Sequence, residues 1–150
     1  MKMTPELKKA FENMQPGVIT ADGFLGDDDR FLVDIIEKDE EKMNELELEY
    51  DTVVKKMRYF MEEGRKGLGE SVKVDNKWLV RVDEARGFLP CPFEDGIFRK
   101  INVTITNLDI NESLTYSDLV VHLLEKHHFH QGLGSFFRIE PKKIKLIFDI

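Results

Sequence analysis

The sequence predicts an α+β fold: amino-terminal helices packed on a mainly antiparallel carboxy-terminal sheet, with one late helix after a β-hairpin. Three observations lead there. Apolar residues recur every three or four positions as far as residue 69. From Ser71 the period changes to two, as expected of strands with one buried face. The helical and extended stretches are segregated rather than alternating, which favours an α+β layer over a doubly wound sheet. At 150 residues the chain fits a single domain, 1–150, with a helical part over 1–69 and a sheet-rich part over 70–150 containing a helix at 118–128.

Taken in order, Thr4 and Pro5 read as N-cap and first helical residue, and Leu7, Ala10, Phe11 and Met14 follow at helical spacing until Pro16-Gly17. Asp27, Asp28 and Asp29 open the next predicted helix, with Phe31, Leu32, Ile35 and Ile36 as its apolar stripe; the pattern fades over 38–44. These aspartates lack the alternating oxygen ligands of a Ca²⁺ loop and read as helix-dipole complement. Tyr50, Val53, Val54, Met57, Phe60 and Met61 form the clearest amphipathic pattern and predict the main core helix. The glycine-rich run at 64–69 follows a helix rather than preceding one, so it serves as a stop and not as a phosphate loop.

Val72 and Val74, a turn at 75–77, then Trp78, Val80 and Val82 predict a hairpin. Phe88 to Gly96, with two prolines and a glycine, reads as a rigid apolar loop that interrupts it. Strand pattern resumes through Phe98, Ile101, Val103 and Ile105, turns at 107–112 and returns at Ser113 to Thr115. Beyond Gly134, Phe136, Phe137 and Ile139 suggest a short strand. Ile144, Leu146, Phe148 and Ile150 suggest a last one, although Ile147 blurs the alternation. An exposed edge on that last strand would make self-association plausible.

The net charge of −7 is unevenly spread. Residues 1–69 carry 11 basic and 17 acidic side chains, residues 70–150 carry 11 and 12. A polyanion would be repelled by the helical half, and no basic stripe with interleaved aromatics occurs elsewhere, so nucleic-acid binding is not expected. No apolar run approaches the roughly 18 residues of a membrane span, the start lacks a signal-peptide core, and the lone cysteine agrees with a reducing compartment. A cytoplasmic protein without a membrane partner is expected.

Every histidine lies between Tyr116 and Gly134. Ser117 is a suitable N-cap, Asp118 suits the first turn, and Gly132 supplies a stop. On such a helix Val120, Leu123, Leu124 and His127 share a buried face, while Asp118, Val121, His122 and Glu125 share a wet one. His122 and His127 then point roughly 140° apart and would meet one ion only if the last turn unwound. A hairpin followed by a helix bearing Leu119, His122, His127 and His128 resembles, over about thirty residues, the zinc-finger class with two cysteine and two histidine ligands. Where that class carries Cys-x-x-Cys, this sequence has Val103-Thr104-Ile105-Thr106. A zinc site must therefore be assembled from Cys91, held between Pro90 and Pro92, from His122 and from His127 or His128, with an oxygen from a carboxylate such as Asp95 or Asp118.

Each part also has an ordinary reading. His127, His128 and His130 sit near a helix C-terminus, where an imidazolium is favoured, and His127 is in phase with the core. Cys91 in an apolar loop behaves as a small buried hydrophobe. A cysteine-nucleophile enzyme with Asp118 orienting His122 is opposed by Pro92, which lacks the backbone N–H that would help form an oxyanion hole. The leading expectation is thus a non-catalytic protein-binding or adaptor domain without a cofactor, whose partner is a protein or a second copy. The alternative is a small zinc protein, structural or hydrolytic, built on Cys91 and the histidines of 122–130. The two diverge on whether the one thiol and the imidazoles converge in space.

Overall fold

The computed structural model describes residues 2–150 and contains five helices and four strands. Three helices come first: α1 (Pro5–Asn13), α2 (Leu32–Glu45) and α3 (Tyr50–Arg65). Strands β1 (Val72–Val74), β2 (Trp78–Pro90), β3 (Ile97–Asn107) and β4 (Glu112–Ser117) follow, then α4 (Asp118–His127) and α5 (Pro141–Phe148). The strands pair antiparallel in sequence order, β1-β2-β3-β4. This is the α+β architecture that the segregated periodicities predict. No helix among the described residues is long and apolar enough to cross a membrane.

One face of the sheet is buried and the other carries polar side chains such as Lys73, Arg81, Asp83 and Asn102 to solvent. Against the buried face pack α3, α4 and α5, forming a core around Phe60, Trp78, Val103, Tyr116 and Phe148. Its polar atoms are paired: the Trp78 indole donates to the Ile147 carbonyl at 2.7 Å and the Tyr116 hydroxyl to the Met57 carbonyl at 2.7 Å. A second apolar cluster joins α1, α2, the end of the β2–β3 hairpin and the other side of α4, through Met14, Phe24, Ile35, Cys91, Leu119 and Leu123. Helix α4 belongs to both, with Val120, Val121 and Leu124 in the first cluster and Leu119 and Leu123 in the second. That double burial is why Val121, expected on a wet face, is buried.

Several local expectations are corrected. The Asp27–Asp29 run precedes α2 rather than opening it: the helix starts at Leu32 behind Phe31, and Asp28 is taken up by Arg30 at 2.6 Å. Nor does the apolar stretch from Phe88 interrupt the sheet. Strand β2 continues to Pro90, paired with Ile97, after a bulge between Ala85 and Phe88 that inserts Arg86 and Gly87. Such a bulge bends and twists its strand and re-aims the residues beyond it.

The carboxy-terminal segment forms a helix where alternation predicts a strand. Pro141 starts α5, and Ile144, Ile147 and Phe148 are fully buried while Leu146 is 53% exposed. A side chain of that kind contributes about 1.5–3 kcal/mol on burial, so the phase that buries all three prevails. Ile147, the residue that spoils the two-residue period, is one of them. With no strand there, the β-edge offered for self-association does not exist. No strand forms at 136–139 either.

Candidate metal centre

A six-residue turn, Cys91-Pro92-Phe93-Glu94-Asp95-Gly96, closes the β2–β3 hairpin. The Cys91 N–H donates to the Gly96 carbonyl at 2.8 Å, and the Glu94 N–H to the Cys91 carbonyl at 2.9 Å. Gly96 holds a φ of +156°, which side-chain-bearing residues rarely adopt. From α1, the Asn13 amide donates to the Pro92 carbonyl at 2.9 Å and to the Glu94 carboxylate at 3.0 Å, fixing the turn from outside. Cys91 is buried and Asp95 faces outward, both towards α4.

Asp95 accepts from two imidazoles, one on each oxygen: His122 Nε2 at 2.9 Å and His127 Nε2 at 2.7 Å. The two rings are 5.4 Å apart and nearly perpendicular. Phe93 stacks on His127 at 3.8 Å and Phe98 lies 4.3 Å from His122, so each ring is braced by an aromatic of the hairpin end. One donor atom from each of Cys91, Asp95, His122 and His127 lies within 4.8 Å of all the others. The expected obstacle, a divergence of about 140° on the helix, is overcome without unwinding. Helix α4 is regular through His127, and the side chains lean together because Asp95 stands between them.

The helix stops immediately afterwards. His128, not Gly132, takes the left-handed conformation (φ +51°) that ends it. Gly132 serves another purpose, since a Cβ there would lie 2.2 Å from the Leu25 carbonyl oxygen. His128 is accordingly swung away from the cluster: it pairs with Glu40 at 2.7 Å and stacks on Tyr50 at 3.8 Å. His130 is fully buried. Its Nδ1 donates to the Ile139 carbonyl at 2.8 Å, which leaves Nε2 to accept from the Tyr50 hydroxyl at 2.9 Å. Arg138 clamps Asp39 beside them with two bonds of 2.8 and 2.9 Å. Of the candidate residues, the structure thus brings together Cys91, His122 and His127, selects Asp95 as the carboxylate, and places His128 and Asp118 elsewhere.

The electrostatics of the cluster follow from its half-buried position. Burial, then the Asp95 carboxylate, pushes the Cys91 thiol up to about 12, although the backbone N–H groups of Phe93 and Asp95 favour the thiolate. Burial acts to raise Asp95 as well, but the thiol and the two imidazoles outweigh it and hold the carboxyl well below its ordinary range. Burial lowers His127, against the pull of Asp95, and so favours its neutral form. One carboxylate, neutral imidazole and one sulfur form a donor set suited to zinc. Tetrahedral zinc donors stand about 3.3–3.6 Å apart, given metal–ligand bonds of about 2.0–2.3 Å. Side-chain shifts of about an ångström would fit the four atoms around an ion.

Comparison with protein-family profiles, curated proteins and solved structures returns no match for this chain.

Proposed function

We propose that this is a zinc-binding protein whose metal is structural, bound by Cys91 Sγ, one Asp95 oxygen, His122 Nε2 and His127 Nε2. The observation that carries the reading is the mutual approach of the four donors, all within 4.8 Å. Four protein ligands leave no coordination position for a substrate or an activated water, which is the mark of structural rather than catalytic zinc. The ion takes the place of the thiol proton and ties the β2–β3 turn to α4. The body so stabilised acts by binding rather than by chemistry, in keeping with an acidic helical half and a metal closed to substrate. A single thiol used as a ligand suits a compartment that keeps cysteines reduced, hence the cytosol.

Metal analysis of tag-free protein equilibrated with zinc and dialysed tests this directly. One zinc per chain is expected, falling to background in Cys91→Ser while the far-ultraviolet circular dichroism is retained. Substoichiometric metal in the wild-type protein, or full occupancy in Cys91→Ser, overturns the assignment.

A further inference from the structure

A separate cavity of about 290 Å³ lies beside the amino-terminal end of α4, under the 20–26 and 131–137 loops. Its walls include Phe24, Leu89, Leu119 and Phe137. The volume is at the lower edge of the roughly 300–1,000 Å³ typical of small-molecule sites, so it suits a compact apolar body. Two cations, Arg99 and Lys100, line it, against one carboxylate, Asp22. Neither cation makes a hydrogen bond or an ion pair among the described residues; Arg99 only acts on Asp118 at longer range.

A second feature points inward. Gln131 lines the same cavity and is only 4% exposed. Its Oε1 accepts from the Ser135 hydroxyl at 2.6 Å, while its amide N–H groups have no partner among the described residues. No fully buried side-chain nitrogen or oxygen in the described residues lacks a partner, so this amide nitrogen reaches open space. Donors that face a mostly apolar cavity suit a ligand acceptor that takes the place of the water they meet there.

We propose that this cavity binds a small monocarboxylate with an apolar hydrocarbon body: the body lies against Phe24, Leu89, Leu119 and Phe137, and the carboxylate meets Gln131 and the Arg99–Lys100 lip. Two cations opposed by Asp22 leave a single net positive charge, which matches one negative charge rather than a phosphate monoester with nearly two. The site is distinct from the metal centre and does not depend on it.

Calorimetric titration with octanoate, and with octanamide as its neutral counterpart, tests the assignment. Octanoate is expected to saturate one site and to bind at least about 10-fold more tightly than octanamide, as charge-assisted hydrogen bonds are the stronger kind. The exposed double variant Arg99→Gln/Lys100→Gln is expected to erase that preference. Gln131→Glu, isosteric and still able to accept from Ser135, should weaken octanoate by at least about 10-fold through like-charge repulsion. Absence of saturable octanoate binding, equal affinity for the two probes, or a preference that survives the double variant overturns the proposal.

Discussion

His122 and His127 turn to a carboxylate and a thiol, whereas His128 and His130, only just beyond them in the chain, turn to a glutamate, a tyrosine and a backbone carbonyl. The first pair meets on a single exposed carboxylate, with its ring nitrogens and the Cys91 sulfur within 4.8 Å of one another. The second pair ends in hydrogen bonds that the fold has already used. Four histidines in nine positions thus do two jobs, and the left-handed turn at His128 separates them. Crowding of a residue type in sequence says little about chemistry until the partners of each side chain are known.

The sharpest test of this division is the removal of one ring from each pair. His127→Ala is expected to lower zinc affinity by more than about 100-fold, since even the loss of a supporting residue behind a ligand costs 10–100-fold. Competition against a chromophoric chelator measures it, and an unchanged affinity would erase the distinction between the pairs. His130→Ala should leave zinc stoichiometry intact but cost about 3 kcal/mol in urea unfolding, because it opens a cavity and strands both the Tyr50 hydroxyl and the Ile139 carbonyl. The same residue carries a pH signature. Burial holds His130 below its ordinary value of 6.5, so the native state stays neutral where the unfolded chain takes up a proton. The stabilisation is present above pH 6.5 and lost as the pH falls, by up to about 1.4 kcal/mol per pH unit. Part of that slope should vanish in His130→Gln. The smallest effect belongs to His128→Ala, less than about 1 kcal/mol for a half-exposed polar contact and with zinc binding unchanged. A loss of metal there would move His128 into the first pair.

The sheet core is legible in the sequence because its signals are local and redundant. Trp78, Val80 and Val82 alternate, and Tyr50 to Met61 repeat at helical spacing, so propensity and burial agree. Helix α5 is not, because Ile144, Leu146 and Phe148 satisfy a strand pattern as well as Ile144, Ile147 and Phe148 satisfy a helical one. Only the Ile147 carbonyl, accepting from Trp78 and Asn107, shows which phase the rest of the molecule rewards. Residue types alone nominate Cys91, His122 and His127. Choosing Asp95 over Asp118 requires the hairpin turn, and rejecting His128 requires the direction of the chain after α4. Gln131 gives no sign in the sequence, since a glutamine in a loop is ordinarily solvated and only the packing of 131–137 against the 20–26 segment buries it.

The Asn13 amide that grips the Pro92 carbonyl and the Glu94 carboxylate reaches across 79 and 81 positions of chain, and the Asp95 contacts to His122 and His127 span 27 and 32. Closures of that length come late in folding, after hairpins and helices have shortened the path between their ends. The four donors therefore meet on a scaffold that is already assembled. On the proposed reading zinc would be a latch fastened on a finished box, and protein depleted of it should keep its shape while its hairpin end works loose.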